Sequence, residues 1–170
     1  ANAGSLGMGI SKAKGMALAK RLARRERRIF VLTGDGELQE GQFWESLGSA
    51  ANLRLGEIVA IVDHNKIQSF GSVAEVLDLA PLADKWRAFG WGVRELDGHD
   101  LAAIDDALAA LPFEPGKPSA IVAHTVKGKG VSFMEGELLW HYRAPRGELE
   151  AKALAEIEAA YAAGTAEKAR

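Results

Sequence analysis

The chain has 170 residues, of which 48% are hydrophobic and 26% charged, a composition that predicts one soluble globular domain with a sizeable core. Its 21 basic and 23 acidic residues leave a net charge of −2, so nucleic acid and anionic membranes are not expected as partners. Because there is no cysteine, disulfides, thiolate nucleophiles and cysteine-bound metals are excluded. With neither a long apolar run nor a signal-peptide pattern, the sequence favours a cytoplasmic protein.

Short apolar runs rich in β-branched residues alternate along the chain with helical patterns. The runs at 29–32, 58–62 and 120–123 predict strands that are buried on both faces, and a weaker run at 93–96 predicts a fourth strand. Strands that alternate with helices are typical of a parallel sheet joined by right-handed crossovers. We therefore predict an α/β fold with a mostly parallel sheet and helices on both faces.

Helices are predicted before and between these strands. A first helix is expected over 10–28, ending in a basic surface, because cations are favourable near a helix C-terminus. Apolar residues spaced along one face predict further helices around 43–51 and 101–111. The stretch 128–147 shows neither pattern, and an irregular connection of that length inside a compact domain is often functional.

The end of the chain is also predicted to be helical. A last helix is expected from Glu148 to about Ala163, with Gly164 placed to end it. We predict a single domain over residues 1–164, followed by a loose tail over 165–170.

Polar residues follow two of the predicted strands at their carboxyl ends. Gly34-Asp35-Gly36 comes directly after the first strand, and Asn65, 30 residues after Asp35, comes just past the second. Ligands bind at this edge of an open parallel sheet, so the two side chains can face one another if their strands are neighbours. A carboxylate and an amide oxygen suit magnesium, which takes its other ligands from phosphate and water. Gly-Asp-Gly alone is common turn chemistry, and the pairing with Asn65 is what indicates a phosphate-bearing ligand.

The segments Gly34–Gly41 and Asp63–Ile67 resemble the thiamine diphosphate fingerprint of transketolases. This resemblance implies that Asp35, Asn65 and the backbone oxygen of Ile67 bind a divalent metal, Mg²⁺ or Ca²⁺, which bridges the diphosphate of the cofactor. It also implies the thiamine diphosphate-binding fold. The other fingerprint residues expected beside the cofactor are Gly34, Gly36 and Glu37.

Three further stretches extend the resemblance from Gly4 to Pro145. The turn Gly4-Ser5-Leu6-Gly7-Met8-Gly9 is similar to one whose backbone lies beside the cofactor in the family. Lys127 follows a strand in a segment that resembles the family's cofactor-contacting one, and its ammonium can offer a point charge to a phosphate. His141 resembles the family histidine near the diphosphate and the reacting centre, so it is the candidate for polar assistance in catalysis. A solvated lysine and a loop histidine without a role are the alternatives.

Residues near these motifs receive secondary or structural roles. Glu40 matches an acidic residue that faces the dimer partner in many relatives, and we prefer it for function over Glu37, whose carboxylate suits a helix start. Among the other histidines, which lack metal-ligand spacing, His64 is expected to pack behind the metal site, while His99 belongs to a turn and His124 ends a strand. The aromatic residues assigned to packing are Trp44, Trp86, Phe89 and Trp91.

Parts of the transketolase machinery are not found in these residues. In the family, a second domain supplies the glutamate that activates the aminopyrimidine ring, and substrate-contacting histidines precede the Gly-Ser-Leu-Gly turn. The resemblance therefore implies a transketolase-type transferase subunit that is inactive alone and needs a separate pyrimidine-binding (C-terminal) subunit. We expect a dimer of heterodimers, a heterotetramer, that uses thiamine diphosphate and Mg²⁺ to move a two-carbon ketol unit between sugar phosphates.

Two departures from the family pattern leave other functions open. Lys66 and Phe70 stand beside the expected metal ligands, and Tyr142-Arg143 replaces the usual glycine after His141. Another thiamine diphosphate-dependent ketol or acyl transferase of specialised metabolism is therefore one alternative. A non-catalytic module that keeps the cofactor motif as a scaffold is the other.

Overall fold

A computed structural model describes residues 4–168 of the chain, and the surroundings of the side chains over 4–163. The strands are β1 (Ile29–Gly34), β2 (Ile58–His64), β3 (Ile67–Gln68), β4 (Gly71–Ser72), β5 (Gly92–Asp97) and β6 (Ser119–His124). The α-helices are α1 (Gly9–Leu22), α2 (Gly41–Asn52), α3 (Val73–Leu77), α4 (Leu82–Ala88), α5 (Leu101–Ala109) and α6 (Glu148–Lys168). Two 3₁₀ helices span Gly36–Gln39 and Leu138–His141.

The main sheet has four parallel strands in the order β1-β2-β6-β5. These are the four strands that the apolar runs predict, so the α/β fold with a parallel sheet is confirmed. The register pairs Ile29 with Ile58, and β3 and β4 form a separate antiparallel hairpin. Because all four strands run the same way, their carboxyl ends share one edge of the sheet.

Helices cover the two faces of the sheet unequally. On one face α1, α2 and α4 bury the main core against β1, β2 and β6. On the other face Ala107 of α5 packs with Ile121 and Ala123 of β6 in a smaller cluster. Phe30 and Leu32 of β1 point to this second face and are 54% and 74% exposed. The second face is therefore covered mainly at the β5–β6 side.

Aromatic side chains fill the centre of the main core, as predicted from their spacing. Trp86 and Trp91 are buried and meet edge to face, with ring centroids 5.0 Å apart. Trp91 also donates from its indole nitrogen to the Leu47 carbonyl at 3.2 Å. The partly buried ring of Trp44 lies 5.4 Å from that of Phe89 at the edge of this group. These residues hold α2 and α4 together and serve packing, which confirms their assignment.

The first helix is shorter than predicted. It ends at Leu22 rather than Arg28, because Arg24 adopts the left-handed conformation with φ +52°. The amides of Arg24 and Arg25 then donate to the carbonyls of Arg21 and Lys20, which closes the helix by the Schellman pattern. A left-handed arginine is uncommon, so the sequence carries no signal for this helix end.

The last helix is longer than predicted, because it passes through Gly164 and ends at Lys168. A glycine costs about 1 kcal/mol relative to alanine inside a helix, which weakens a helix without ending it. Residues 165–168 are thus helical, whereas Ala169 and Arg170 lie outside the described residues. The division into a domain over 1–164 and a loose tail stays a prediction.

The predicted helix over 101–111 is present in shortened form. Ala107 lies on its buried side as expected, but Leu101, in the first turn, is 79% exposed and does not join the apolar face. The stretch 128–147 is irregular as predicted, apart from its 3₁₀ turn. Within the part of the chain that the structure describes, none of the helices has the length and apolar character needed to cross a membrane.

Candidate functional site

The ends of β1 and β2 bring the two halves of the predicted site together. The strands are neighbours, and Gly34 pairs in register with Asp63. Beyond the end of β1, the amide of Asp35 donates to the carbonyl of Asp63 at 3.3 Å. The predicted site required β1 and β2 to be neighbours, and the structure confirms that they are.

The carboxylate of Asp35 is buried and hydrogen-bonded on both oxygens. Its side chain is 3% exposed. Its Oδ1 accepts from the amide of Gly36 at 2.8 Å and caps the 3₁₀ helix, while Oδ2 accepts from the amide of Lys66 at 2.6 Å. Lys66 presents that amide from a left-handed backbone with φ +68°. Hydrogen bonds from backbone amides to a carboxylate are among the stronger ones, so this anion is held in one orientation.

The amide of Asn65 is also oriented by its neighbours. Its Oδ1 accepts from the amide of Ile67 at 3.0 Å, and its Nδ2 donates to Asp63 Oδ2 at 3.1 Å. Thr125, at the end of β6, donates its hydroxyl to the other oxygen of Asp63. Because Asp63 accepts only, it sets which way the amide of Asn65 faces. The amide oxygen therefore lies beside Ile67, whose carbonyl is the third predicted ligand.

Glycines keep the space around Asp35 open or allow close packing there. A Cβ atom added at Gly34 would meet nothing within 4 Å, so the backbone faces open space just before the carboxylate. A Cβ at Gly36 would lie 2.8 Å from the Cβ of Gln68, so the loop after β1 and β3 approach too closely for a side chain. Gly7, with φ +77°, lies equally close to Glu40. The Gly-Ser-Leu-Gly turn thus packs directly against the start of α2.

Glu37 links that turn to the sheet, a role the sequence did not reveal. Its Oε1 accepts from the amide of Gly7 at 2.8 Å, and its Oε2 accepts from the hydroxyl of Thr33 at 2.7 Å. The preferred Glu40 is exposed instead, and its expected role toward a dimer partner stays a prediction. From the sequence, Glu37 was expected beside the cofactor, with a helix-start charge as the alternative, and neither expectation included a contact with this turn.

Replacing Glu37 with alanine is expected to loosen the turn over residues 4–7 while leaving the fold intact. The amide of Gly7 loses its acceptor, which costs about 1–3 kcal/mol, while the hydroxyl of Thr33 keeps only its longer bond to the Gly34 carbonyl at 3.3 Å. Amide hydrogen exchange at Gly7 should accelerate in Glu37→Ala and stay unchanged in Glu45→Ala, whose side chain is exposed on α2. Equal exchange at Gly7 in both variants would show that Glu37 does not hold the turn.

His141 reaches the same edge of the sheet from the long irregular connection. Its 3₁₀ turn packs on β3, and the neighbouring Tyr142 donates its hydroxyl to the Ser69 carbonyl at 3.3 Å. Trp140 secures the turn by donating to the Phe133 carbonyl at 2.9 Å. The Nδ1 atom of His141 is buried and has no partner among the described residues. A buried nitrogen without a partner is costly, which favours a ligand that hydrogen-bonds to it.

The electrostatic surroundings of His141 connect it to Lys127 and Asp35. Burial lowers the pKa of His141 below its ordinary value, the charge of Lys127 lowers it further, and Asp35 opposes both. His141 is therefore neutral at pH 7. In the unfolded chain the imidazole has its ordinary pKa and takes up a proton at a higher pH than in the folded protein. The contribution of His141 to stability is therefore complete above the ordinary histidine pKa, and it is lost as the pH falls towards the lowered pKa of the folded state.

Replacing Lys127 with methionine is expected to raise the pKa of His141, because a like charge that opposes protonation is removed. The matched control is Lys129→Met. The Nζ atom of Lys129 lies 3.6 Å from Glu135 Oε1, and its charge is not among the causes that shift the pKa of His141. Titration of the imidazole signals of His141 by NMR measures both. If Lys127→Met left the pKa where the control leaves it, Lys127 would not lie at this site.

The site also contains a pair of histidines whose contacts the sequence did not show. His64 Nδ1 lies 3.0 Å from Asp35 Oδ2, and its ring meets that of His124 edge to face at 5.1 Å. His124 Nε2 in turn lies 3.0 Å from Glu95 Oε2. From the sequence, both histidines come at or just after predicted strands, and in the structure the register of β2 and β6 pairs them. Both line a cavity of about 600 Å³ that reaches Asp35.

The residues gathered at this edge fit a metal-bound diphosphate. Asp35 and Asn65 offer oriented oxygens, Lys127 offers a positive charge, and His141 offers a buried nitrogen without a partner. The described residues contain no cluster of three or more histidine, cysteine, aspartate or glutamate side chains suited to a metal. A site here would thus resemble magnesium sites, which use few protein side chains and take phosphate oxygens and water.

Residues 1–162 match the family described as "Transketolase, thiamine diphosphate binding domain". The chain is 45% identical over 155 residues to a 6-deoxy-6-sulfo-D-fructose transketolase subunit of Clostridium sp., covering 91% of this chain and 56% of that protein. It is 42% identical over 158 residues to an apulose-4-phosphate transketolase subunit of Actinobacillus succinogenes, covering 92% and 56%. The chain thus spans little more than half the length of these curated relatives.

A solved structure shows the same fold. The crystal structure of transketolase from Campylobacter jejuni superposes with a TM-score of 0.81 at 31% identity, covering 90% of this chain and 25% of that one. The family match covers all of the residues placed here at the sheet edge, from Gly4 to His141. The chain therefore belongs to the transketolase family, in which it corresponds to the thiamine diphosphate-binding domain.

Proposed function

We propose that this chain is the diphosphate- and metal-binding part of a split transketolase, which transfers a two-carbon ketol unit between sugar phosphates. The observation that carries the proposal is the oriented pair of oxygen ligands at adjacent strand ends, on Asp35 and Asn65. The relatives named as transketolase subunits, of which this chain covers 56%, support a split enzyme.

In the proposed site, Asp35, Asn65 and the carbonyl of Ile67 bind Mg²⁺, or Ca²⁺ in its place. Asp35 supplies the negative charge and Asn65 a neutral oxygen, which leaves positions for phosphate and water. Both side chains are already held by hydrogen bonds, so little conformational entropy is lost when the metal binds. A pre-oriented ligand set of this kind favours tight binding.

The diphosphate of thiamine diphosphate would be held by this metal, by Lys127 just before the long connection and by His141 within it. Lys127 offers it a positive charge, and His141 can hydrogen-bond through Nδ1, which has no protein partner among the described residues. The open space beside the Gly34 backbone leaves room for the phosphates to approach. The remaining residues proposed to contact the cofactor are Gly4, Ser5, Leu6, Gly36 and Glu37.

The bound cofactor supplies the electron sink for breaking and forming the carbon–carbon bond. This chain contributes anchoring, orientation and one neutral imidazole. Because burial and Lys127 lower its pKa, His141 can accept a proton or a hydrogen bond at neutral pH. These roles leave the activation of the aminopyrimidine ring to another part of the enzyme.

We propose that a separate pyrimidine-binding subunit provides that part and that two such pairs form a heterotetramer. Two relatives of this chain are named as subunits of transketolases, which supports a second component. Glu40, exposed next to the Gly-Ser-Leu-Gly turn, is the residue proposed to face the dimer partner. The two relatives are named for different substrates, a sulfo-sugar and a sugar phosphate, so an anionic ketose is the substrate class proposed here.

Calorimetric titration with thiamine diphosphate and Mg²⁺ tests the proposal, with the chain alone and with a candidate pyrimidine-binding subunit. Metal-dependent binding, together with ketol transfer between sugar phosphates in the presence of the second subunit, is the expected result. No binding under either condition would overturn the proposal. Binding without transfer to any acceptor, in the complete assembly, would instead identify a cofactor-binding scaffold, and transfer of an acyl unit would identify the other alternative.

A further inference from the structure

His64 lies directly behind the carboxylate that the proposed metal site uses. It is the last residue of β2, and its Nδ1 approaches Asp35 Oδ2 at 3.0 Å. The side chain of Asp35 is 3% exposed and that of His64 is 21% exposed, so the contact is mostly shielded from water. Shielding strengthens a hydrogen bond to a charged group.

The hydrogen bonds of Asp35 divide its two oxygens into different roles. Oδ2 accepts from the Lys66 amide at 2.6 Å and faces His64, so both of its lone pairs are used. Among the described residues, only the Gly36 amide donates to Oδ1, at 2.8 Å, so this oxygen keeps one lone pair. Only Oδ1 therefore retains a lone pair for a further ligand.

The neighbours of His64 keep its ring in the orientation this contact needs. An ionised carboxylate only accepts hydrogen bonds, so the proton of the neutral ring must lie on Nδ1. The ring packs edge to face on His124, which is itself anchored through Nε2 to Glu95 Oε2 at 3.0 Å. His64 is thus supported from β6, just as Asp63 is supported by Thr125 at the end of that strand.

We propose that His64 is a positioning residue that donates from Nδ1 to Asp35 Oδ2 and thereby directs Oδ1 to the bound metal ion. The proposal rests on the metal site of the proposed function. Supporting groups of this kind orient metal ligands in many proteins, and their loss lowers metal affinity by about 10- to 100-fold. In this role His64 orients Asp35 and does not itself bind the metal.

Two variants of matched shape test the donor. In His64→Asn the amide nitrogen stands where Nδ1 stood, whereas His64→Leu has the same branching at Cγ and no donor. The Mg²⁺ affinities are measured by calorimetric titration at saturating thiamine diphosphate. All variants are measured under the conditions in which the wild type binds both Mg²⁺ and the cofactor. We expect His64→Leu to lose about 10- to 100-fold in Mg²⁺ affinity and His64→Asn to stay near the wild type.

A second measurement does not depend on the cofactor. In the apo protein labelled with ¹⁵N-histidine, the His64 signals should show the proton on Nδ1, and a proton on Nε2 in the neutral ring would overturn the proposal. It would also be overturned if His64→Leu bound Mg²⁺ as tightly as the wild type, or if His64→Asn lost as much affinity as His64→Leu. If the wild type bound no Mg²⁺ with thiamine diphosphate even with a second subunit, the proposed function would fail and this role with it.

Discussion

Replacing Asp35 with asparagine is expected to abolish metal-dependent binding of thiamine diphosphate. The substitution keeps the shape of the side chain but removes the only negative charge in the proposed ligand set. Mg²⁺ is bound by one or two carboxylates in most protein sites, so no other side chain in that set can replace it. We expect the affinity to fall by more than the roughly 10- to 100-fold that loss of a supporting group costs.

The same substitution should also cost some stability without cofactor. Donors face both oxygens of Asp35: the Lys66 amide and His64 face Oδ2, and the Gly36 amide faces Oδ1. Whichever way the asparagine amide is turned, its NH₂ group therefore faces a buried donor that has lost its acceptor. A loss of about 1–3 kcal/mol in the free energy of unfolding follows. Urea denaturation of the apo protein measures this part separately from binding.

Asp78→Asn is the matched control for the binding experiment. Asp78 lines the same cavity as Asp35, but its carboxylate is exposed and accepts from the Ala80 amide at 2.8 Å. Calorimetry should show the wild-type affinity for thiamine diphosphate and Mg²⁺ in this variant. If Asp35→Asn bound the cofactor as Asp78→Asn does, the metal assignment of Asp35 would be wrong.

The sequence predicted the sheet well because burial determines the composition of its strands. The run Ile58–Val62 is apolar on both sides. In the structure it forms a strand that α1, α2 and α4 bury on one face, and on the other face Ile61 packs against α5 and β6. The strand continues to His64, beyond the apolar run, since pairing with β6 continues there. Strand ends depend on such pairing, which local composition does not record.

Helix ends were less predictable for a related reason. Arg24 closes α1 in a left-handed conformation that glycine usually adopts, whereas Gly164 lies inside α6 without ending it. In both cases the residue type pointed the wrong way. Local preferences of this kind are worth about 1 kcal/mol and are overridden by the conformation of the surrounding chain.

Some features of the site could be predicted from the spacing of residues in the sequence, whereas others depend on side-chain contacts. Asp35 and Asn65 could be placed together from sequence, because each follows a strand and parallel strands end at one edge. The contacts of Glu37 with Gly7 and of His64 with Asp35 join residues about thirty positions apart through particular side-chain conformations. The sequence placed His64 behind the site, but no periodicity or motif encodes its hydrogen bond to Asp35 or that of Glu37 to Gly7, and these contacts came from the structure.

Replacing Phe43 with alanine is expected to destabilise the fold strongly. The Phe43 side chain is fully buried in α2, just after the turn that Asp35 caps, and its ring centroid lies 5.5 Å from that of Trp86 and 6.2 Å from that of Trp44. Truncating a buried phenylalanine costs about 3–5 kcal/mol, because apolar contacts are lost and a cavity remains. Small domains have a total stability of about 5–15 kcal/mol, so about a fifth of it or more is lost.

Urea denaturation followed by tryptophan fluorescence measures this loss, since Trp44 and Trp86 both lie against the Phe43 ring. Phe70→Ala is the matched control, because Phe70 is 85% exposed and its removal should change the free energy of unfolding by less than about 0.5 kcal/mol. Equal midpoints for the two variants would show that the aromatic group does not hold α2 to α4. A large shift confined to Phe43→Ala would show that α2, which follows the turn capped by Asp35, is anchored by the aromatic core.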